Sequence, residues 1–173
     1  MLRARQKIGK YRILGRIASG PLADVYRAHD SIQKIKVALK IPKQDANTGH
    51  DEFLHEVRVA TRLQHPNILS VLNASYIDEP FVIAMELGEE SLADRIERRT
   101  STAAKLDLAG QALAALAHAH EHKIIPCDIK PENFILFPGN QLKLADFGFA
   151  KLSLRTLKAS GSGTIDYIAP EQA

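Results

Sequence analysis

Midway along the chain the apolar residues change their period, and that change limits the folds open to it. Up to residue 87 the apolar runs are short, extended in pattern and broken by turn residues. Residues 11–17, 25–29 and 34–41 read as strands separated by Gly20-Pro21 and Asp30-Ser31. One helix follows over residues 51–63, where Phe53, Val57, Ala60 and Leu63 recur at helical spacing. Residues 68–77 and 80–87 are apolar strands again. Beyond them the period turns helical. Ser91 caps a short helix over 92–98, with Asp94 completing a capping box. Residues 103–121, rich in Ala and Leu, predict a long helix with Leu106, Ala109, Leu113, Leu116 and His120 along one stripe. Short strands and loops alternate from Ile124, and residues 149–168 read as a long polar loop. The pattern is α+β: a small β-rich lobe with one helix, a linker near residues 86–90, and the start of a larger helical lobe.

Length and composition allow this. A chain of 173 residues suffices for one good core or two small lobes. The net charge of +3 comes from 23 basic and 20 acidic residues spread along the chain, an excess that argues little for nucleic acid, and no nucleic-acid partner is expected. The basic run at 95–99 reads as a solvated helix face. No stretch approaches the roughly 18 apolar residues of a membrane span, and the first residues lack the apolar run of a signal peptide. The single cysteine, Cys127, excludes an internal disulfide and fits a reducing cytoplasm.

The chemistry concentrates in Asp128-Ile129-Lys130-Pro131-Glu132-Asn133, followed by Asp146-Phe147-Gly148. Two acids and an amide at this spacing suit a site that orients a hydroxyl and holds Mg²⁺ on a triphosphate. One carboxylate accepts the proton of the attacking hydroxyl. The amide oxygen and the second carboxylate are hard ligands for Mg²⁺. In Val37-Ala38-Leu39-Lys40, alternation puts Ala38 and Lys40 on one face, a small residue for a flat base and a cation for its phosphates. Taken alone, that segment reads more simply as an edge strand with a solvated lysine. Glu56 lies on the apolar stripe of its helix, and a buried carboxylate requires a cation, for which Lys40 is the candidate. His118 and His122, four apart on a helix, have no third ligand to make them a metal site. Cys127 reads as a packed small residue.

Lysine, helix glutamate, Asp-x-Lys-Pro-Glu-Asn, Asp-Phe-Gly and the Ala169-Pro170-Glu171 run, in this order, resemble the catalytic domain of eukaryotic-type Ser/Thr protein kinases from about Tyr11 to Glu171. The resemblance implies that family's bilobal fold, with an N-lobe over about 8–87 and a C-lobe over 88–173 that reaches through the activation segment. It also implies roles. Asp128 is the base or hydroxyl-orienting group, Lys130 neutralises the γ-phosphate, and Asn133 and Asp146 bind Mg²⁺. Residues 17–26 occupy the place of the glycine-rich phosphate loop, where Ala18, Gly20 and Val25 meet the nucleotide together with Ala38, Lys40 and Glu56. Met85 backs the adenine pocket, and backbone groups of Glu86 and Gly88 pair with the base edge. The implied activity is transfer of the γ-phosphoryl group of MgATP to a Ser or Thr hydroxyl of a protein substrate; Lys130 marks the Ser/Thr class. Its cofactors are ATP and Mg²⁺.

The departures have their own implications. Of the loop glycines only Gly20 remains; Ala18 and Ala23 replace the others, and Pro21 removes an amide donor. Pro126-Cys127 stands where the family has His-Arg. Without that arginine, activity depends weakly on phosphorylation at Ser153, Thr156, Ser160 or Ser162. The chain stops two residues after Glu171, where the family's domain continues, which implies an incomplete catalytic domain inactive by itself. The reading from another class is a pseudokinase-like nucleotide-binding or scaffold module without turnover. Against it stand the five groups the chemistry needs: Lys40, Glu56, Asp128, Asn133 and Asp146.

Overall fold

The computed structural model describes residues 2–43, 49–77, 80–147 and 151–152, with the backbone alone at 49–52 and 151–152. The chain divides into two compact units, Met1–Val57 with Ser70–Leu87, and Arg58–Leu69 with Gly88–Ala173.

The first unit is a six-stranded antiparallel sheet of β1 (Lys7–Ile8), β2 (Tyr11–Ser19), β3 (Ala23–Asp30), β4 (Ile35–Pro42), β5 (Val71–Tyr76) and β6 (Phe81–Glu86). Its order is β1-β2-β3-β4-β6-β5. Alternation sets the faces: Tyr11 and Ile13 of β2 are buried while Arg12 and Leu14 are exposed. With Tyr26, Ala28, Val37, Leu39, Val82 and Ala84 they form one core cluster. Central β6 is buried over 81–84 and so reads as a continuous apolar run. Helix α1 (Gly49–Ala60) contributes Phe53, which packs with Ala23, Phe81 and Ile83 in a second cluster. Ile68 and Leu69, expected to open β5, are buried in the second unit instead. There Ile68 bridges Leu144, and the Leu69 N–H donates to the Leu144 carbonyl at 2.9 Å. The apolar run was continuous in sequence, but its hydrogen bonds go to different partners.

In the second unit, α2 (Leu92–Ile96) begins at the expected capping box. The Ser91 hydroxyl oxygen accepts from the Asp94 N–H at 3.1 Å, and the Asp94 carboxylate accepts from the Ser91 N–H at 3.0 Å. Helix α3 (Thr102–Glu121) is capped by Ser101 and buries Leu108, Ala115 and Ala119. The stripe singled out in the sequence is not the buried one: Leu106 and Leu113 are 69% and 66% exposed. Ala and Leu lie all round this helix, so two apolar stripes coexist and periodicity cannot choose between them. Strands β7 (Glu90–Ser91), β9 (Phe134–Phe137) and β10 (Gln141–Leu144) form a three-stranded sheet ordered β10-β9-β7, and β8 (Ile124–Ile125) pairs with β11 (Lys151–Leu152). Among the described residues no helix is long and apolar enough to cross a membrane.

A polar network fixes β10. The Asn67 side-chain amide donates to Gln111 Oε1 at 2.9 Å and to the Leu142 carbonyl at 2.8 Å. The Leu142 N–H donates to the same Gln111 oxygen at 2.7 Å, and the Leu144 N–H to the Asn67 carbonyl at 2.8 Å. These bonds hold the chain rigidly two residues before Asp146.

Candidate active site

In the first unit the predicted nucleotide residues line up across the strands. Ala18 stands opposite Val25, and Val25 opposite Lys40; one step along, Ala38 stands opposite Met85. Lys40 Nζ donates to Glu56 Oε1 at 2.8 Å and to Oε2 at 2.7 Å. Glu56 is 5% exposed, and the Lys40 ammonium also lies 5.5 Å from the Phe53 ring centre. The inward glutamate of α1 has the cation that its burial requires. The Glu86 N–H is taken by the Ser70 carbonyl at 3.3 Å, and the Glu86 carboxylate accepts from the Ser70 N–H at 3.1 Å.

The loop at Gly20 shows why its lost glycines are tolerated. Ala18 and Ala23 sit in ordinary strand pairs, and neither they nor Gly20 has a positive φ. A side chain therefore adds no backbone strain at these three positions. The hairpin is closed by the Gly20 N–H donating to the Ala23 carbonyl at 2.9 Å. Its brace was not anticipated: Asp24 accepts from the Ser19 hydroxyl at 2.6 Å and the Tyr26 hydroxyl at 3.2 Å, with Lys43 Nζ at 3.8 Å. The Ser19 hydrogen bond, aided by Lys43 and Tyr26, outweighs burial and holds the Asp24 carboxyl below its usual range. Only the Ser-x₄-Asp spacing around the turn hinted at it.

The second unit gathers the other set. Lys130 Nζ lies 2.7 Å from Asp128 Oδ2, and the Asn133 amide nitrogen donates to the same oxygen at 3.1 Å and to the Asp128 carbonyl at 2.8 Å. A 3₁₀ turn over Pro131–Asn133 makes this possible, folding the buried Asn133 side chain back on the loop. The Ala145 N–H donates to the Asn133 carbonyl at 2.7 Å, so the two motifs are joined through the backbone. Asp146 follows at φ 62°, a left-handed conformation that a non-glycine residue holds only when its surroundings impose it. Here the fixed β10 precedes it and the buried Phe147 follows it. The Asn133 Oδ1 and the Asp146 carboxylate are the hard oxygen donors that Mg²⁺ takes.

Gly88 also lies in this unit, packed on β9. A Cβ there would stand 2.7 Å from the Leu136 carbonyl oxygen and overlap Ile135. Glycine is required at this position for packing, a reason that the sequence did not show. Cys127, which read as a packed small residue, turns its thiol to the Ile125 carbonyl at 3.5 Å. His118 stacks between His65 and His122, with ring centres 4.8 and 4.3 Å away. Among the described residues no three His, Cys, Asp or Glu side chains are placed to hold a metal. Gly148, the candidate phosphorylation sites and the Ala-Pro-Glu run lie outside the described residues.

The protein kinase domain family matches residues 11–173. The serine/threonine-protein kinase PrkC of Bacillus subtilis is 35% identical over 182 residues, covering 100% of this chain and 28% of PrkC. Human calcium/calmodulin-dependent protein kinase type 1B is 33% identical, covering 93% of this chain and 49% of that protein. The DNA damage-responsive serine/threonine-protein kinase RqkA of Deinococcus radiodurans is 34% identical, covering 95% and 26% respectively. The chain thus spans less than half the length of each of these relatives.

Proposed function

Because the chain belongs to the protein kinase family, we propose that it serves Ser/Thr phosphorylation, transferring the γ-phosphoryl group of MgATP to a Ser or Thr hydroxyl of a protein. The observation that carries this reading is the Asp128 carboxylate, held by Lys130 Nζ at 2.7 Å and by the Asn133 amide at 3.1 Å. A carboxylate so oriented takes the proton of the attacking hydroxyl as the new O–P bond forms and the bond to the β-phosphate oxygen breaks. Lys130 is the candidate to neutralise the transferring group. Because the Asn133 nitrogen is committed to Asp128, its Oδ1 is the end of the amide available to Mg²⁺, with the Asp146 carboxylate as second ligand. Bound there, Mg²⁺ would neutralise phosphate oxygens. Lys40, braced by Glu56, is the cation for the nucleotide's phosphates, and Ala18, Val25, Ala38 and Met85, from two neighbouring rows of the sheet, are the candidates for the surface under its base. Glu86 and Gly88 are the candidates for pairing with the base edge through their backbones. The lone cysteine supports a cytoplasmic setting, and Lys130-Pro131-Glu132 with Ala169-Pro170-Glu171 favours a protein substrate.

The test is transfer of labelled phosphate from ATP to a generic Ser/Thr substrate by the full-length protein, with and without Mg²⁺. Asp128→Asn is expected to lower kcat by about 10²–10⁴ with little change in ATP affinity, while Asp146→Asn abolishes turnover. Nucleotide binding with no transfer by the full-length protein would favour the scaffold reading instead. Full turnover by the Asp128 variant would remove that residue from the chemistry.

A further inference from the structure

The sheet of the first unit carries a row of cations that packing does not explain. Lys7 stands opposite Arg12, Arg12 opposite His29, and His29 opposite Lys36, one line across β1, β2, β3 and β4. Lys7, Arg12 and Lys36 are exposed and His29 is half-buried. Like charges directly opposite each other destabilise a sheet, yet no acid interrupts this row. Among the described residues no carboxylate pairs with Lys7, Arg12, Lys34 or Lys36. Protection of an exposed sheet edge does not account for it. A cation on β1, the edge strand, would suffice for that, whereas the row runs on into interior strands.

The surface is concave where the row begins. Lys7, Arg12 and His29, with Gly9, Lys10, Ser31 and Lys34, line a shallow pocket of about 290 Å³. Lys10 is already neutralised, its ammonium 2.7 Å from buried Asp30. Asp30 is itself occupied, accepting from the Ile32 and Gln33 N–H groups at 2.9 and 3.0 Å. Lys7, Arg12 and Lys34 therefore face the pocket with their charge uncompensated, and His29 offers a ring N–H in either tautomer. Lys34 holds φ 59° in the turn between β3 and β4, where glycine or asparagine would be less strained. A cation stands at a position whose backbone disfavours it.

We propose that this pocket is a second anion site, lined by none of the nucleotide residues, at which Lys7, Arg12 and Lys34 bind a phosphoryl group in its dianionic form. The guanidinium presents paired N–H donors to two phosphate oxygens, and the ammonium groups add point charges. The phosphoryl group is either free, as in a small polyphosphate, or carried by a phosphorylated Ser or Thr of a polypeptide. The same cations read both.

Calorimetric titration of the 173-residue chain with pyrophosphate, and separately with a phosphothreonine peptide, tests this. A saturating non-hydrolysable ATP analogue keeps the probes from the nucleotide residues. At least one probe is expected to bind, more weakly at high salt. Arg12→Ser and Lys34→Gly should each weaken it about tenfold, leaving the affinity for the ATP analogue unchanged. Both positions are exposed and Lys34→Gly relieves backbone strain, so folding is not at risk. Binding of the phosphopeptide but not its unphosphorylated form assigns a phosphoprotein partner; binding of pyrophosphate alone assigns a free anion. The proposal is overturned if neither probe binds, if both variants bind as the parent does, or if only duplex DNA or anionic vesicles bind.

Discussion

Glu56 is 5% exposed and meets Lys40 with both carboxylate oxygens, so each charge offsets the burial of the other. Removing one takes this compensation from its buried partner. Glu56→Ala is expected to destabilise the fold by about 3–5 kcal/mol, read as a shift in the urea midpoint. The double variant Lys40→Met, Glu56→Leu should regain much of that loss, because two apolar groups need no partner. If the double variant were as unstable as the sum of its parts, burial rather than charge would govern the site. Gly88 makes a different demand. Its missing side chain lets the backbone approach the Leu136 carbonyl, and Gly88→Ala is expected to cost about 1–3 kcal/mol of stability through overpacking. A parallel measurement of nucleotide affinity separates this packing role from recognition of a base. Both residues were singled out in the sequence, but only Glu56 was singled out for the reason that the structure gives.

Among the elements, β10 and α3 show how far local pattern reaches. The length of α3 was legible because Ala, Leu and a serine cap agree along 20 residues. Its buried face was not, because neither of its two apolar stripes differs from the other until β8 and β10 pack on one. On the same helix, His118 Nε2 is sealed from solvent without a hydrogen-bond partner among the described residues. Burial, followed by the nearness of His122 and His65, outweighs Glu121 and holds its imidazole pKa below the usual 6.5. The unfolded chain therefore takes up this proton first. Stability contributed by the neutral ring is present above about pH 6.5 and lost as pH falls through that value, levelling off below the folded pKa. His118→Phe should flatten the slope of melting temperature against pH between 7 and about 5. An unchanged slope would assign the titration to other groups.

For the molecule as a whole, the two units carry their acid sensitivity at different pH. In the first, burial would raise the Asp30 carboxyl, but Lys10 and the Gln33 and Ile32 amides outweigh it and hold it below the usual 3.8. Asp24 is likewise held down by Ser19. Depressed carboxyls contribute stability above their unfolded pKa and lose it as pH falls through the folded one, here below 3.8. Hydrogen exchange is therefore expected to show protection falling in α3 and β10 near neutral pH, while β2 and β3 hold until the carboxylate range. Loss of protection in both at one pH would mean that they unfold together.

The sequence by itself determined the order of strands and helices, the capping box at Ser91, the pairing of Lys40 with Glu56, and the closeness of Asp128, Lys130 and Asn133. Each follows from local spacing or from a charge that burial cannot leave alone. Only the tertiary structure decided which stripe of α3 is buried, why Gly88 must be glycine, how Asn67 and Gln111 hold β10, and that Lys7, Arg12, His29 and Lys36 fall in one line. Those properties depend on register and on contacts between residues far apart in the chain, and a one-residue shift in strand pairing would erase the last of them.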